Sequence, residues 1–154
     1  MHSRIFQVSL NPINKEDYIE ESNYYDHWFT NEIADYVDGD TDRDADIEWL
    51  KNAPDGSMTF ENDENGEYFI VNSRAAYFQK AFETFKTALD KIKDVTIDDF
   101  AEGINGMWAL KNAYEDKFGF YVDADGELMT MDSFVRRCAV GEKYYIGGTM
   151  DYHW

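Results

Sequence analysis

The chain has 154 residues, of which 32 are Asp or Glu and 14 are Lys or Arg, so its formal net charge is −18 at pH 7. It is also 44% hydrophobic and contains 11 Phe, 11 Tyr and 4 Trp. Disordered chains of high net charge are poor in aromatic residues, so this composition predicts a folded chain, and the length predicts one domain over residues 1–154. The acidity excludes direct binding to nucleic acid, since phosphate binding depends on Lys and Arg, and it disfavours an anionic membrane surface.

The cysteine content and the hydropathy pattern restrict the chain further. Cys138 is the only cysteine, so an internal disulfide and a cysteine-based zinc site are excluded. The N-terminal residues lack the apolar core of a secretion signal, and no apolar stretch has the length of a membrane span. We therefore expect a cytoplasmic protein without a membrane partner.

The first third of the chain predicts a strand followed by a helix. Residues 4–10 alternate between apolar and polar side chains, which is typical of a half-buried strand. Its apolar face consists of Phe6, Val8 and Leu10. Asn23 has the character of an N-cap for a helix that Gly39 closes. The apolar stripe of that helix consists of Tyr25, Trp28, Phe29, Ile33, Tyr36 and Val37.

The middle of the chain predicts a second helix, a turn, a hairpin and a long third helix. The second helix carries Ile47, Trp49 and Leu50, and a turn is expected at Pro54-Asp55-Gly56. Glycine at position 66 favours a hairpin over residues 57–71. Ser73 is the expected N-cap of a helix over residues 74–93. Its apolar stripe consists of Phe78, Ala81, Phe82, Phe85, Ala88, Leu89 and Ile92.

The last third predicts a helix over residues 106–118, a second hairpin over 120–129 and a short helix that starts at Thr130. A tyrosine-rich strand follows over 143–154, with a bulge at Gly147-Gly148. The first and last strands are expected to pair. Strands interrupted by helices favour an α+β fold, with a small, mostly antiparallel sheet and two local hairpins packed against amphipathic helices.

Five aspartates occupy alternate positions: Asp38, Asp40, Asp42, Asp44 and Asp46. Carboxylate oxygens are typical calcium ligands, and an EF-hand loop requires Gly at its sixth position and Glu at its twelfth. No register that begins at Asp38, Asp40 or Asp42 supplies either residue. A solvated acidic loop explains the run without calcium.

The same run has an electrostatic interpretation. Alternate residues of an extended strand lie about 6.6 Å apart, which is comparable to a row of nucleic-acid phosphates. Residues 14–48 contain 13 acidic residues against Lys15 and Arg43, a net charge of −11. Such density costs stability through self-repulsion, which a basic partner would offset. The alternative is an acidic surface that serves solubility alone.

No pattern of catalytic residues stands out. His2 and His153 lie near the termini, His27 lies at a helix edge, and Cys138 falls on an apolar stripe, where cysteine is usually packing. No glycine-rich phosphate loop is present. The sequence therefore predicts a protein that is not an enzyme and has no cofactor or metal.

In size, acidity and aromatic content the chain resembles the small anti-defence proteins of phages and mobile elements, which inhibit CRISPR nucleases or restriction enzymes by imitating nucleic acid. The acidic stretch over residues 16–48 carries the resemblance. It implies a non-enzymatic inhibitor that binds the basic nucleic-acid groove of a host-defence nuclease. The predicted partner-binding residues are Glu20, Glu21, Tyr24, Tyr25, Trp28, Asp35, Asp38, Asp40, Asp42, Asp44, Asp46 and Glu48. The alternative function is an acidic interaction or accessory domain, with calcium binding through the Asp38–Asp46 run as one form of it.

Overall fold

The computed structural model describes residues 1–53 and 56–154. The strands are β1 His2–Ser9, β2 Tyr36–Asp38, β3 Met58–Asp63, β4 Gly66–Val71, β5 Tyr121–Ala124, β6 Glu127–Thr130 and β7 Lys143–His153. The α-helices are α1 Trp28–Glu32, α2 Arg43–Asn52, α3 Arg74–Ile92, α4 Ile97–Glu102, α5 Met107–Tyr114 and α6 Met131–Arg137. Two 3₁₀ turns lie at Lys15–Asp17 and Glu21–Tyr24. The turn predicted at Pro54-Asp55-Gly56 falls partly outside the described residues, because positions 54 and 55 do not belong to them.

The described strands form one seven-stranded sheet in the order β3-β4-β7-β1-β5-β6, and β2 pairs with the C-terminal part of β7. β1 and β7 run antiparallel through its centre, which confirms the expected pairing of the first and last strands. β1 also runs parallel to β5, with Ile5 beside Tyr121. The α+β class is confirmed, but the sheet is mixed, so the expectation of a mostly antiparallel sheet is corrected. More than a hundred residues separate β1 from β5, and such a pair leaves no local turn signal in the sequence.

Both faces of the sheet are covered. One face carries a core that includes Phe6 and Val8 and is closed by residues of α2 and α6. The other face carries Ile5 and Tyr152, against which the chain around α1 packs. The sequence pattern places Leu10 beside Phe6 and Val8, but Leu10 lies beyond the end of β1 and is half exposed.

The helix predicted between Asn23 and Gly39 is wrong. Asp26 adopts a left-handed backbone with φ of 56°, which interrupts a right-handed helix. The chain instead forms a 3₁₀ turn, the short α1 and the strand β2. His27, rather than Asn23, is the N-cap of α1, and its side chain accepts a hydrogen bond from the Phe29 amide. β2 pairs with the free edge of β7, which satisfies backbone groups that the predicted helix would have paired internally.

Elements with strong local signals appear as predicted. Ser73 caps α3 through the Ala76 amide, and Thr130 caps α6 through the Ser133 amide. Both hairpins form, as β3–β4 and β5–β6. The helix predicted over residues 106–118 is shorter and ends at Tyr114. Within the described residues, no helix combines the length and the apolar character needed to cross a membrane.

Candidate partner-binding surface

An acidic cleft of about 1100 Å³ opens on one side of the sheet. Its walls are the segment around residues 15–25 and the loop around residues 39–44, and its floor includes residues 148–150 of β7. Five of the predicted partner-binding residues line it: Glu20, Glu21, Tyr25, Asp42 and Asp44. Asp40 is exposed between two lining residues, Gly39 and Thr41, so it lies at the rim.

A β-bulge in β7 holds the first wall in place. The register between β1 and β7 shifts so that Gln7 faces both Gly147 and Gly148, which confirms the predicted bulge. The Gln7 side-chain oxygen accepts hydrogen bonds from the amides of Gly148 (2.9 Å) and Ile19 (3.1 Å). A Cβ at Gly148 would lie 3.1 Å from the Tyr18 Cβ, so glycine permits this wall to lie directly on the strand.

The second wall is fastened to the same strand. The Glu21 carboxylate accepts a hydrogen bond from the Gly39 amide at 2.9 Å, which joins the two walls. The Thr41 hydroxyl lies 3.0 Å from the Thr149 hydroxyl. Arg43 donates to the carbonyl oxygens of residues 146 and 147 and forms a 2.7 Å ion pair with Glu67. The guanidinium of Arg43 is therefore directed into the fold. Its distance to the Asp44 carboxylate is 3.8 Å, longer than its distance to Glu67.

The aspartate run does not form the extended row that its spacing suggested. Asp38 ends β2 and accepts a hydrogen bond from the Asp40 amide, and Asp42 is the N-cap of α2, accepting from the Ala45 amide. From position 43 the chain is helical, with a rise of about 1.5 Å per residue, so the carboxylates of Asp44 and Asp46 point in different directions. The acidic groups instead lie on a loop and on the first turn of a helix.

Burial removes Asp46 from the predicted surface. The residue is 3% exposed, and its carboxylate accepts from the Arg4 guanidinium at 2.5 Å and from the Thr149 hydroxyl at 2.7 Å. Arg4 also pairs with Asp151. Asp46 is thus part of a buried polar network beneath α2, and nothing in the sequence distinguishes it, because it shows the same spacing as its exposed neighbours.

Burial also removes Tyr24 from the predicted surface. Its side chain is 2% exposed and belongs to the core beneath α1. Its hydroxyl donates to the Asp123 carboxylate at 3.1 Å. Burial raises the pKa of the Tyr24 hydroxyl, and the negative charge of Asp123 raises that pKa further. The phenol is a fixed donor inside the protein and is closed to a partner.

The remaining predicted residues lie outside the lining of the cleft. Asp35 is exposed and lies 3.0 Å from the His153 ring nitrogen. Glu48 pairs with Lys51 at 2.5 Å on α2. Trp28 is 43% exposed at the start of α1. The structure therefore separates the predicted set into a cleft group and scattered residues.

Most carboxylates of residues 14–48 have no cationic neighbour. Across residues 1–53 and 56–154, nine of the thirteen form no ion pair, whereas Asp35, Asp44, Asp46 and Glu48 do. The nine are Glu16, Asp17, Glu20, Glu21, Asp26, Glu32, Asp38, Asp40 and Asp42. Lys15 and Arg43 line the cleft as its two cations, and Arg43 is already paired with Glu67. The cleft is consequently a region of negative potential.

Sequence reasoning missed the residues that shape the cleft. Gln7, Tyr18, Thr41 and Thr149 hold or line it, and none of them belongs to a recognisable motif. The signal available was the Gly147-Gly148 pair inside a tyrosine-rich strand, since paired glycines in a strand mark a bulge or a close approach of other groups.

The described residues contain no cluster of three or more His, Cys, Asp or Glu side chains arranged to hold a metal ion. Four aspartates of the run are used in a cap, in hydrogen bonds or in ion pairs: Asp38, Asp42, Asp44 and Asp46. No family model, curated protein or solved structure matches the chain. The functional conclusion therefore depends on the geometry and charge of the surface itself.

Proposed function

We propose that this protein is a non-enzymatic acidic inhibitor that occupies the basic nucleic-acid groove of a host-defence nuclease of the CRISPR or restriction type. One observation carries the proposal: nine carboxylates of residues 14–48 lack an ion-pair partner among the described residues, and several of them surround a single cleft. A basic groove would supply the missing counter-charges, as it does for nucleic-acid phosphates.

In this proposal, the residues that act as phosphate substitutes are the acids at the cleft. Glu20, Glu21, Asp40, Asp42 and Asp44 line or border the cleft and are accessible at least in part. Tyr25 is 69% exposed beside them and offers an aromatic ring, a side chain that often supplies binding energy at the centre of an interface. Opposite charges would speed association, and added salt would weaken it.

The experiment begins with capture of the partner from host lysate by the wild-type chain, followed by competition with duplex DNA or guide RNA. A combined variant then neutralises four acids of the cleft and its rim: Glu20→Gln, Asp40→Asn, Asp42→Asn and Asp44→Asn. Asn keeps the N-cap of α2, so the fold should persist, which circular dichroism checks. We expect nucleic acid to displace the wild-type chain, and we expect the variant to bind at least about a hundredfold more weakly, from about 1 kcal/mol for each desolvated charge.

A matched control carries the same number of neutralised acids elsewhere on the surface: Glu61→Gln, Glu64→Gln, Asp125→Asn and Glu142→Gln. All four positions are exposed and outside the cleft. The control should retain inhibition, because its substitutions lie outside the cleft. Total charge changes equally in both variants, so a difference between them reports the position of the charges. If neither added salt nor the cleft substitutions changed the affinity for the partner, the proposal of nucleic-acid mimicry would be wrong. The result would favour an acidic interaction or accessory domain.

A further inference from the structure

Helices α3, α4 and α5 form a helical arm, defined as residues 74–114. The arm is anchored at its start, where Arg74 donates to the carbonyl oxygens of Val135 and Cys138 and Tyr77 donates to Asp132 at 3.0 Å. Further along, α3 packs against α5 rather than against the sheet. Ala88 is the one residue of α3 that is buried.

Besides Trp108, the arm leaves six large apolar side chains in water, between 37% and 78% exposed. These six, named the arm patch, are Phe82, Leu89, Ile97, Phe100, Met107 and Tyr114. Phe82 and Leu89 belong to the apolar stripe predicted for this helix, so part of that stripe has no cover from the described residues. Several exposed large apolar side chains on one set of helices are typical of an interaction site.

The positions of these side chains place several of them on one flank of the arm. Phe78, Phe82 and Leu89 follow at spacings of four and seven residues, which keeps them on one side of α3. The Arg136 guanidinium lies 4.5 Å from the Phe78 ring and 4.2 Å from the Tyr114 ring, so Tyr114 extends the same flank onto α5. α4, which carries Ile97 and Phe100, lies between α3 and α5 in the chain.

The opposite flank is a different surface. There Trp108 and Ala81 line a cleft of about 840 Å³ that also reaches the sheet. None of the six arm-patch side chains lines that cleft, so the two surfaces are separate.

The area of the arm patch fits one side of a stable protein interface. Aromatic side chains bury about 150–250 Å² each, so Phe82, Phe100 and Tyr114, exposed by 55%, 67% and 57%, leave roughly 360 Å² in water. Leu89, Ile97 and Met107 add to this area. One side of a standard interface contributes about 800 Å², of which about 450–520 Å² is apolar.

The charges of the arm favour a second copy of this chain as the partner. Helix α3 with Lys93 carries five Lys or Arg against two Asp or Glu, a net charge of +3, whereas residues 94–102 carry four acids and no base, a net charge of −4. A two-fold interface joins the same surface on both copies and therefore requires a self-complementary surface. Two arms packed antiparallel would set the negative end of each beside the positive helix of the other. A basic nuclease groove would instead be repelled by α3.

From this area and charge pattern we propose that the arm patch is a homodimer interface, with a second copy of this chain as its occupant. The dimer needs no nuclease, so it can be tested apart from the proposed function. Sedimentation velocity of the full chain over a range of concentrations should show a monomer that converts into a particle of twice the mass. Phe100→Ser and Phe82→Ser should each raise the dimer dissociation constant at least about tenfold, as expected for aromatic side chains at an interface. Lys86→Glu should also weaken the dimer.

Matched controls remove exposed apolar side chains outside the arm. Leu10→Ser and Val140→Ser, at positions 50% and 43% exposed, should leave the dissociation constant unchanged. Circular dichroism of every variant shows whether the fold is retained. A chain that stays monomeric at every concentration that remains in solution would overturn the proposal. A dimer dissociation constant that is unchanged by the arm substitutions would overturn it as well. So would open-ended growth into larger assemblies.

Discussion

Asp44 and Asp46 are two residues apart on α2, yet the side chain of Asp44 is 91% exposed and that of Asp46 is 4% exposed. Successive helical residues are rotated by about 100°, so side chains two apart point to nearly opposite sides. Asp46 faces the sheet, where Arg4 and Thr149 hold its carboxylate. The two residues have the same chemistry in the sequence and opposite roles in the molecule.

Asp46→Ala should lower the free energy of unfolding by about 2–4 kcal/mol, because it removes one partner from a buried charge pair. This loss in the free energy of unfolding is smaller than the largest losses seen when buried ion pairs are broken, because Arg4 keeps Asp151 as a second partner. Urea unfolding followed by circular dichroism measures the change.

Asp44→Ala is the matched control on the same helix turn. It should change the free energy of unfolding by no more than about 0.5 kcal/mol, as is usual for exposed positions. Equal losses at both positions would contradict the buried role of Asp46. A loss of partner binding in Asp46→Ala alone would follow from the weakened fold and would say nothing about the acidic surface.

The bulge in β7 is the element that shapes the acidic cleft, and at Gly148 an added side chain would meet the backbone of the first wall. An added Cβ would lie 3.1 Å from the Tyr18 Cβ and 3.2 Å from the Ile19 backbone nitrogen, and a backbone atom cannot move aside cheaply. Gly148→Ala should therefore cost about 1–3 kcal/mol in the free energy of unfolding, as overpacking usually does, and should weaken partner binding by displacing the first wall. Thermal or urea unfolding and a binding titration measure the two effects.

Gly39→Ala separates this packing effect from the general cost of changing a glycine. Gly39 also lines the cleft, but its added Cβ would meet the end of the Met150 side chain at 3.4 Å, which is ordinary contact. It should leave stability and binding nearly unchanged. If Gly148→Ala and Gly39→Ala both left stability and binding unchanged, the position of the first wall would not depend on its close approach to β7 at Gly148.

Elements whose signals are local could be predicted from the sequence, and elements that depend on distant partners could not. Ser73 and Thr130 act through amides three residues away, so the starts of α3 and α6 were found correctly. Residues 24–38 show helical spacing of apolar side chains, but the burial of Tyr24 and the pairing of β2 with β7 depend on strands about a hundred residues away or more. Tertiary contacts overrode local propensity there.

The candidate site was predicted at the level of the segment. Charge density identified residues 14–48, and five members of the predicted set do line one cleft. The orientation of each carboxylate could not be predicted. The sequence interpretation assumed an extended strand over the aspartate run, but α2 begins at Arg43 within it. Gln7, the residue that fixes the first wall, acts through a bulge whose partner lies at the other end of the chain.

At the scale of the whole molecule, the net charge of −18 is unevenly distributed. Residues 14–48 carry −11, whereas residues 74–93 carry +3. Like charges close together destabilise the compact state, and salt screens them, with a Debye length of about 30 Å at 0.01 M and about 3 Å at 1 M. Removing negative charge from the acidic segment should therefore stabilise the fold, and removing it from α3 should not.

The combined variant Asp26→Asn, Asp38→Asn and Asp40→Asn tests this asymmetry. None of these three forms an ion pair within the described residues, and Asn suits the left-handed backbone at position 26. We expect the free energy of unfolding to rise by about 0.5–1 kcal/mol at low ionic strength, and this gain should fade as salt screens the repulsion that the substitutions relieve. Urea midpoints measured at both salt concentrations show the change. Glu83→Gln with Asp90→Asn on α3 is the control. Neighbouring lysines make these two acids favourable, so their removal should bring no gain in the free energy of unfolding. A gain in the control that is about two thirds of the gain in the triple variant, in proportion to the two and three charges removed, would mean that total charge and not its clustering sets the stability.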